Sequence, residues 1–167
     1  MTGYKTLRLK RGKEESLDRF HPWVFSGALA GPLPDGLEEG DVVNVAAHDG
    51  RHIGVGHFQI GSIAVRILDF ADTSIGTGFF TMRLEQALRL RRALGLARPD
   101  NDAYRLVHGE GDFLPGLVID IYGPTAVLQA HSPGMHFARR QVAEAIAGLE
   151  GLGVRNVYYK SETTLPY

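Results

Sequence analysis

The first 70 residues carry a succession of short strand patterns separated by turn residues, and this limits the folds open to the chain. Residues 6–10 alternate apolar and basic side chains, which is typical of a half-buried strand. Two further strand patterns flank Asp49-Gly50, a dipeptide typical of hairpin turns, and a third covers residues 62–70. Several short strands in so few residues predict a small, strongly curved β barrel.

The pattern changes near residue 79, where helical spacing replaces strand alternation. Apolar side chains recur at helical spacing over residues 79–94, and we assign Leu90 and Leu94 to this apolar face. Gly95 and Pro99 end the pattern. The remaining elements are predicted to be three strands, a second amphipathic helix and a last strand, at residues 104–108, 117–122, 126–130, 135–149 and 154–159.

The length and composition are those of a globular protein with two small domains. The 167 residues are 44% hydrophobic and 22% charged. We expect a mixed α/β (α+β) fold, with the β barrel over residues 1–72 and a small α+β domain over residues 73–167. No apolar run is long enough to cross a bilayer, and the chain has no Cys. These features fit a protein of the reducing cytoplasm that does not contact a membrane.

Basic side chains are concentrated near the N-terminus, although the net charge of the chain is −1. This net charge argues against a protein that coats nucleic acid nonspecifically. Five basic residues precede the first acid: Lys5, Arg8, Lys10, Arg11 and Lys13. Such an arm predicts contacts with RNA phosphates, for which Arg51 and Arg66 are weaker candidates. The arginines between residues 83 and 98 are more simply interpreted as a solvated helix face.

The segment of residues 21–28 follows this basic arm and contains the only Trp of the chain. It begins near a proline, ends near a glycine, and has strand-forming residues from Trp23 to Phe25 between them. Core packing is the simpler interpretation of both rings. The alternative is that Trp23 or Phe25 stacks on a base, since aromatic side chains beside basic ones suit RNA binding.

Three carboxylates, Glu110, Asp112 and Asp120, form the best acidic group, and we treat them as candidates for a cleft or a domain interface. Clustered carboxylates can act as acid and base or hold a cation, so a small hydrolase that uses a histidine such as His108 is one hypothesis. The simpler interpretation is a tight turn over residues 109–116, in which Asp112 accepts hydrogen bonds from backbone N–H groups.

No motif identifies a metal site or a nucleotide cofactor site. His48, His52 and His57 lie on or beside a predicted hairpin, but a regular strand aims His52 and His57 at opposite faces. Two Gly-x-Gly pairs, at residues 54–56 and 109–111, lack the third glycine and the following helix of a dinucleotide fingerprint. We therefore expect no metal and no cofactor to be bound by this chain.

Several stretches together resemble one known family, and their combination is far more specific than any one of them. They are His21-Pro22-Trp23-Val24-Phe25-Ser26-Gly27-Ala28, Phe79-Phe80 with Arg83-Leu84, Tyr104-Arg105-Leu106-Val107 with Gly109-Glu110, and Leu114-Pro115-Gly116-Leu117-Val118-Ile119-Asp120. Over nearly its whole length the chain resembles the N-terminal part of bacterial 23S ribosomal RNA cytosine-5 methyltransferases that begin with a PUA domain. The resemblance implies an RNA-binding PUA-like pseudobarrel, followed by a central α+β domain.

The same resemblance implies that the catalytic domain is absent from this chain. In the family, a further Rossmann-like domain binds S-adenosylmethionine and supplies a cysteine nucleophile, and a charged stretch leads into it. Residues 161–167 do not resemble that stretch, and the chain has no Cys. Because a thiolate must add to C6 before cytosine C5 reacts, we expect no catalytic residue here and a chain truncated before the catalytic domain.

The leading hypothesis is therefore an RNA-binding N-terminal part of a ribosomal RNA methyltransferase that does not transfer methyl groups by itself. Ribosomal RNA is the expected partner, and S-adenosylmethionine is implied only for the full-length family. The alternative hypothesis is a protein-interaction or dimerisation module with no RNA affinity. Its apolar surface would be the predicted hairpin that starts at residue 114 and ends at residue 122, and its partner a second copy of the chain.

Overall fold

The computed structural model describes residues 2–161, and the chain divides into two compact units, Met1–Ser74 and Ile75–Tyr167. Residues 162–167, on which most of the expectation about the end of the chain rests, lie outside the described residues. The mixed α/β class is confirmed, since each unit has its own β sheet and short helices accompany both. Within the described residues, no helix is long and apolar enough to cross a membrane.

Unit 1, residues 1–74, is built on a five-stranded sheet in the order β1-β3-β4-β5-β2. Its strands and its one short α-helix are β1 (Lys5–Arg8), α1 (Glu15–Asp18), β2 (Trp23–Phe25), β3 (Val42–Ala46), β4 (His52–Phe58) and β5 (Ile63–Asp69). Strand β1 runs parallel to β3, and all other neighbours are antiparallel. Strand β2 therefore lies at one end of the sheet, hydrogen-bonded to β5 alone.

Alternation along the first strand places its apolar residues in the core of unit 1. Leu7 and Leu9 are 3% and 0% exposed. Arg8, which lies between them, and Lys5, which precedes them, are exposed. This is the half-buried pattern that the sequence predicts. The residues that pack around the two leucines are Leu17, Val24, Val43, Val45, Ala47, Ile53, Phe58, Val65 and Ile67.

Unit 2, residues 75–167, has a four-stranded sheet in the order β6-β7-β8-β9. Its elements are α2 (Thr77–Ala93), β6 (Ala103–His108), β7 (Leu117–Tyr122), β8 (Thr125–Ala130), α3 (Pro133–Phe137), α4 (Arg139–Ala147) and β9 (Asn156–Tyr159). Strands β6, β7 and β8 are antiparallel neighbours, and β9 runs parallel to β8. Helix α2 packs against α4, and the apolar faces of β7 and β8 are buried.

The predicted second helix of this unit is divided into α3 and α4, which meet at Ala138. The first helical turn begins at Pro133 instead of Met135, because Pro133 suits the first helical position and Ser132 caps the helix. The Ser132 hydroxyl accepts a hydrogen bond from the Met135 N–H at 3.4 Å. The last strand begins at Asn156, two residues later than predicted from residue 154.

The predicted apolar face of α2 is wrong at its C-terminal end. Leu90 and Leu94 are 46% and 63% exposed, whereas Arg91 is only 8% exposed. The buried stripe continues from Phe80 and Leu84 to Arg91, because an acidic side chain of the neighbouring loop neutralises the guanidinium there. Helical spacing alone did not indicate that an arginine would occupy a core position.

Candidate nucleic-acid interface

The aromatic side chains of β2 lie on the surface, which corrects the prediction that both pack in the core. Val24 is 1% exposed and fills the core position, whereas Phe25 is 49% exposed and Trp23 is half-buried. Side chains alternate along a strand, so Trp23 and Phe25 share the face opposite Val24. Strand β2 is an edge strand of the sheet, next to β5.

The exposed rings of β2 form a cluster with His21 and Arg66. The ring centroids of Trp23 and Phe25 are 6.4 Å apart, and those of His21 and Trp23 are 5.5 Å apart. Arg66, the partner of Trp23 in the β2–β5 register, holds its guanidinium carbon 5.5 Å from the Trp23 ring centroid. Its Nε donates to the side-chain oxygen of Gln59 at 3.2 Å. A cation above an aromatic ring is favourable and holds the indole in place.

A cleft of about 340 Å³ opens beside these rings. We call it the aromatic cleft, and it is lined by Lys13, Ser16, Leu17, Trp23, Val24, Phe25, Gly27 and Ala28. Two aromatic residues, a serine and a lysine therefore line one depression, and these residue types suit a base and its phosphate.

The second half of the basic arm reaches the aromatic cleft. Lys13 lines the cleft directly, and the Lys10 ammonium donates to the carbonyl oxygen of Gly27 at 2.9 Å. Arg11 is exposed in the turn between these two lysines. Arg8 lines a different groove, together with residues 29–34. Lys13 and Trp23 thus line one cleft, Lys10 contacts its wall at Gly27, and Arg66 contacts the Trp23 ring, whereas Arg8 lines a different groove.

Two other predicted phosphate ligands have acidic partners. Lys5 lies 3.5 Å from the Asp41 carboxylate and also donates to the carbonyl oxygen of Gly36. Arg51 makes a bidentate contact with Asp18, with N–O distances of 3.1 Å from both terminal nitrogens. An RNA phosphate would have to displace a carboxylate at either site, so both are poorer candidates than Lys13.

The acidic group of unit 2 is divided between two ion pairs, so Asp112 and Asp120 are structural partners of arginines instead of cleft residues. Asp112 is buried, and its carboxylate accepts two bonds from the Arg91 guanidinium at 2.5 and 2.7 Å. Asp112 also accepts from the backbone N–H of His108 at 2.6 Å, as the tight-turn interpretation predicts. Asp120 makes a bidentate pair with Arg105 at 2.8 and 3.1 Å.

Because Asp112 and Asp120 are paired with arginines, the three carboxylates do not form the catalytic site that the hydrolase hypothesis requires. Glu110 is exposed on the short 3-10 turn Gly109–Asp112, and none of the described cavities is lined by it, Asp112 or Asp120. A hydrolase would need a carboxylate that faces a pocket, ready to accept a proton. In the described part of the chain, both buried carboxylates instead accept hydrogen bonds from arginines.

The hairpin that the interaction hypothesis singled out is mostly buried. Leu114, Leu117 and Ile119 are completely buried, and Tyr122 alone of its large side chains is more than half exposed. The apolar residues of this segment form the core of unit 2, because β7 is a central strand between β6 and β8. Its hydrophobic run therefore gives no exposed patch.

The glycine pairs and histidines do not fit a cofactor or a metal. Gly56 lies inside β4, where an added Cβ would overlap the carbonyl oxygen of Arg66, so its place is explained by close packing of two strands. Burial lowers the pKa of His57 to about 4, which keeps it neutral in the folded chain. Among residues 2–161, no three His, Asp or Glu side chains are grouped to hold a metal ion. Neither of these two glycine pairs opens an α-helix, so neither fits the phosphate-binding turn of a dinucleotide fold.

Sequence reasoning left one feature of the site open and missed another. For Phe25, core packing was the simpler interpretation and base stacking the alternative, although the two-residue spacing from Trp23 places both rings on one face. A second cleft, in unit 2, is lined by residues from Leu88 to Gly153 that are far apart in the sequence. No local motif could have found that cleft.

Residues 7–70 match the family model of the PUA-like domain. They span β1 to β5, which identifies unit 1 as a PUA-like domain. The aromatic cleft therefore lies in a PUA-like domain.

The relatives of the whole chain are ribosomal RNA methyltransferases. The chain is 40% identical over 146 residues to ribosomal RNA large subunit methyltransferase I of Salmonella typhi, and equally identical to the protein of that name from Escherichia coli O1:K1. Each match covers 86% of this chain but only 36% of the relative. The chain thus spans about a third of the length of these relatives, and the resemblance found in its sequence is confirmed.

A solved structure shares the fold. It is a protein of Streptococcus mutans assigned as a SAM-dependent methyltransferase, which matches with a TM-score of 0.76 over 93% of this chain and 40% of that one. The sequence identity is 16%, so this likeness concerns the fold alone. A second solved structure, of a protein assigned as a methyltransferase and complexed with SAH, matches with the same TM-score.

Proposed function

We propose that this chain is the RNA-binding N-terminal part of an S-adenosylmethionine-dependent methyltransferase that modifies cytosine C5 in 23S ribosomal RNA. Ribosomal RNA is its proposed partner, and the cytoplasm its proposed location. The relatives support the substrate, because their names specify the RNA of the large ribosomal subunit. The aromatic cleft in a PUA-like domain is the single observation that carries the proposal.

The aromatic cleft offers the two contacts that single-stranded RNA needs. Trp23 and Phe25 present exposed ring surface on which a base can stack. Base–aromatic stacking contributes about 1–3 kcal/mol per base. Lys13 lines the same cleft and Lys10 is adjacent to it, so phosphates that flank the stacked base find positive charge.

The position of Arg66 supports the proposal that a base stacks on Trp23. Its guanidinium already lies over Trp23, at 5.5 Å from the ring centroid. Trp23 is thus held before RNA arrives, and little conformational entropy is lost on binding. Lys5, Arg8, Arg11 and Arg51 are proposed as weaker contacts, since they lie away from the aromatic cleft or are paired with acids.

The proposed role of these 167 residues is binding without methyl transfer. C5 of cytosine becomes nucleophilic only when a thiolate adds to C6 of the ring. The sequence contains no Cys to supply this thiolate. We therefore propose that RNA is held by this chain and that the chemistry depends on residues outside it.

Titration of the chain with a 23S ribosomal RNA fragment at 50 and 200 mM salt tests the proposal. We expect affinity to fall as salt rises, since displaced counterions accompany each phosphate contact. A charge reversal of Lys10 and Lys13 to Glu should abolish binding at the higher salt. A matched reversal of Arg140 and Arg155, two exposed arginines of unit 2, is the control and should bind normally.

Two outcomes would contradict this function. Absence of binding at low salt would mean that the chain has no RNA affinity of its own, and concentration-dependent self-association would then favour a dimerisation module. Equal losses in the Lys10/Lys13 and Arg140/Arg155 variants would mean that binding is a general effect of charge, without a role for the aromatic cleft.

A further inference from the structure

A second cleft, of about 490 Å³, lies wholly within unit 2 and takes no part in the proposed interface. It is formed by the end of α2, the connection to β6, the turn after β7 and the loop before β9. Its volume is in the range of sites for small ligands. The lining residues that decide its chemistry are Leu88, Arg92, Arg98, Asp102, Tyr104 and Ile121.

The floor of this unit 2 cleft is apolar and contains one aromatic ring. Leu88 of α2 and Ile121 of β7 are 3% and 2% exposed, so they present only their outermost atoms to the cleft. Tyr104 is the cross-strand partner of Ile121 and lines the cleft beside it. Such a floor favours a flat aromatic ligand, because the ring can stack on the phenol and displace water from the aliphatic groups.

The rim provides positive charge that is only weakly neutralised. The Arg98 guanidinium lies 3.0 Å from the Asp100 carboxylate, but the two side chains are 58% and 73% exposed. An exposed ion pair of this kind contributes little, so a phosphate can replace the carboxylate at Arg98. Arg92 donates one hydrogen bond, to the carbonyl oxygen of Gly151 at 3.1 Å, and a guanidinium carries five donors.

The rim also offers groups that suit the polar edge of a base. Asp102 lines the cleft and accepts hydrogen bonds, whereas Arg92 donates them. Burial raises the pKa of Tyr104, so its hydroxyl keeps its proton at neutral pH and can donate as well. Nucleobases carry amino donors and carbonyl acceptors on one edge, and they need partners of both kinds.

We propose that the unit 2 cleft binds a single nucleotide, with its base on the floor formed by Leu88, Tyr104 and Ile121 and its phosphate at Arg98. This proposal rests on the proposed function in one respect, because we expect the nucleotide to be an unpaired nucleotide of the bound RNA. The same chemistry would accept a free nucleotide, so the test includes both.

The test follows the backbone amide resonances of the full chain during titration with cytidine 5′-monophosphate. We expect saturable shifts at Tyr104, Gly123 and Gly151, with half-saturation below about 10 mM. The Ala97→Trp variant places an indole in the cleft and should abolish these shifts. Arg98→Ala should weaken binding about tenfold, and Arg140→Ala, an exposed position on α4, should leave it unchanged.

The ligand series separates the proposed site from a simple anion site. Cytidine, which lacks the phosphate, should bind more weakly at the same resonances. Inorganic phosphate that reproduces all the shifts would overturn the proposal, since no base would then be needed. Absence of shifts, or equal shifts in Ala97→Trp, would also overturn it. Thermal unfolding of each variant checks that the fold is retained.

Binding of a short unpaired oligonucleotide identifies the source of the nucleotide and keeps this proposal distinct from the proposed function. If RNA is the source, the oligonucleotide should bind unit 2 more tightly than the mononucleotide. A Trp23→Ala variant loses the contact of the aromatic cleft but should keep the cytidine 5′-monophosphate shifts in unit 2. Nucleotide binding by the original chain without any RNA binding at low salt would overturn the proposed function alone.

Discussion

The two units use their charged side chains in opposite ways. In unit 2, Arg91 and Asp112 form a buried pair with N–O distances of 2.5 and 2.7 Å. In unit 1, Lys13 remains at the surface beside Trp23 and Phe25, in a cleft of about 340 Å³. The comparison teaches that a conspicuous charge in the sequence does not mark a ligand site where a buried opposite charge of the fold neutralises it.

The largest expected effect concerns the buried Arg91–Asp112 pair of unit 2. Asp112→Ala removes one partner of a buried pair and leaves the Arg91 guanidinium without its carboxylate. We expect a loss of about 3–5 kcal/mol in the free energy of unfolding, measured by urea denaturation. Asp100→Ala breaks the exposed pair with Arg98 and is the matched control, with little or no loss. Similar losses in both variants would contradict a special role for the buried pair.

The next effect concerns a buried titratable group within unit 1. Burial lowers the pKa of His57 to about 4, against 6.5 for an exposed histidine, and its cross-strand neighbour is the cation Arg66. Below pH 6.5 the unfolded chain binds a proton that the folded chain does not, so stability falls between pH 6.5 and 4. The expected loss is about 3 kcal/mol, complete near pH 4.

A His57→Leu variant isolates this contribution. The difference in unfolding free energy between the variant and the original chain should change with pH over the same window. A difference that stays constant from pH 7 to pH 4 would show that His57 titrates normally in the folded chain.

Removal of the exposed rings is expected to weaken RNA binding by less than these stability changes. Trp23→Ala should cost about 1–3 kcal/mol in binding free energy, because one stacking surface is lost. The salt dependence should remain the same, since no phosphate contact changes. Tyr158→Ala is the matched control, because this ring is 60% exposed but belongs to unit 2. Filter binding measures both, and equal losses would place the RNA elsewhere.

The smallest effect distinguishes the basic residues from one another. Lys13→Ala should reduce the slope of log affinity against log salt by about 0.7, the value for one phosphate of single-stranded nucleic acid. Arg51→Ala should leave the slope unchanged, because Arg51 is paired with Asp18. A larger change for Arg51 than for Lys13 would reverse the order of candidates.

Much of the fold was predictable because alternation and helical spacing depend on local sequence. Leu7 and Leu9 alternate with exposed residues as predicted, and a helix covers most of the predicted residues 79–94. The failures come from long-range contacts. Arg91 is buried because Asp112, 21 residues away, reaches it, and no pattern within the helix contains that information.

The candidate site was predicted only in part, for a similar reason. Lys10, Lys13, Trp23 and Arg66 were named from sequence, but only the fold shows that Lys13 and Trp23 line one cleft, that Lys10 contacts Gly27 of its wall and that Arg66 contacts Trp23. Whether Phe25 is exposed or buried stayed open, because an exposed strand face and a buried one can have the same local pattern. Which face of β2 is covered depends on tertiary packing, which local sequence does not contain.

The most direct test of the central claim uses Trp23 itself, the only Trp in the chain. Its fluorescence is recorded while a 23S ribosomal RNA fragment is added to the full chain. A base that stacks on the indole should quench the emission saturably, with the same midpoint as binding measured independently, and Lys13→Ala should shift that midpoint to higher RNA concentration. RNA binding with unchanged Trp23 emission would contradict the account, because the aromatic cleft would then remain empty while RNA is bound.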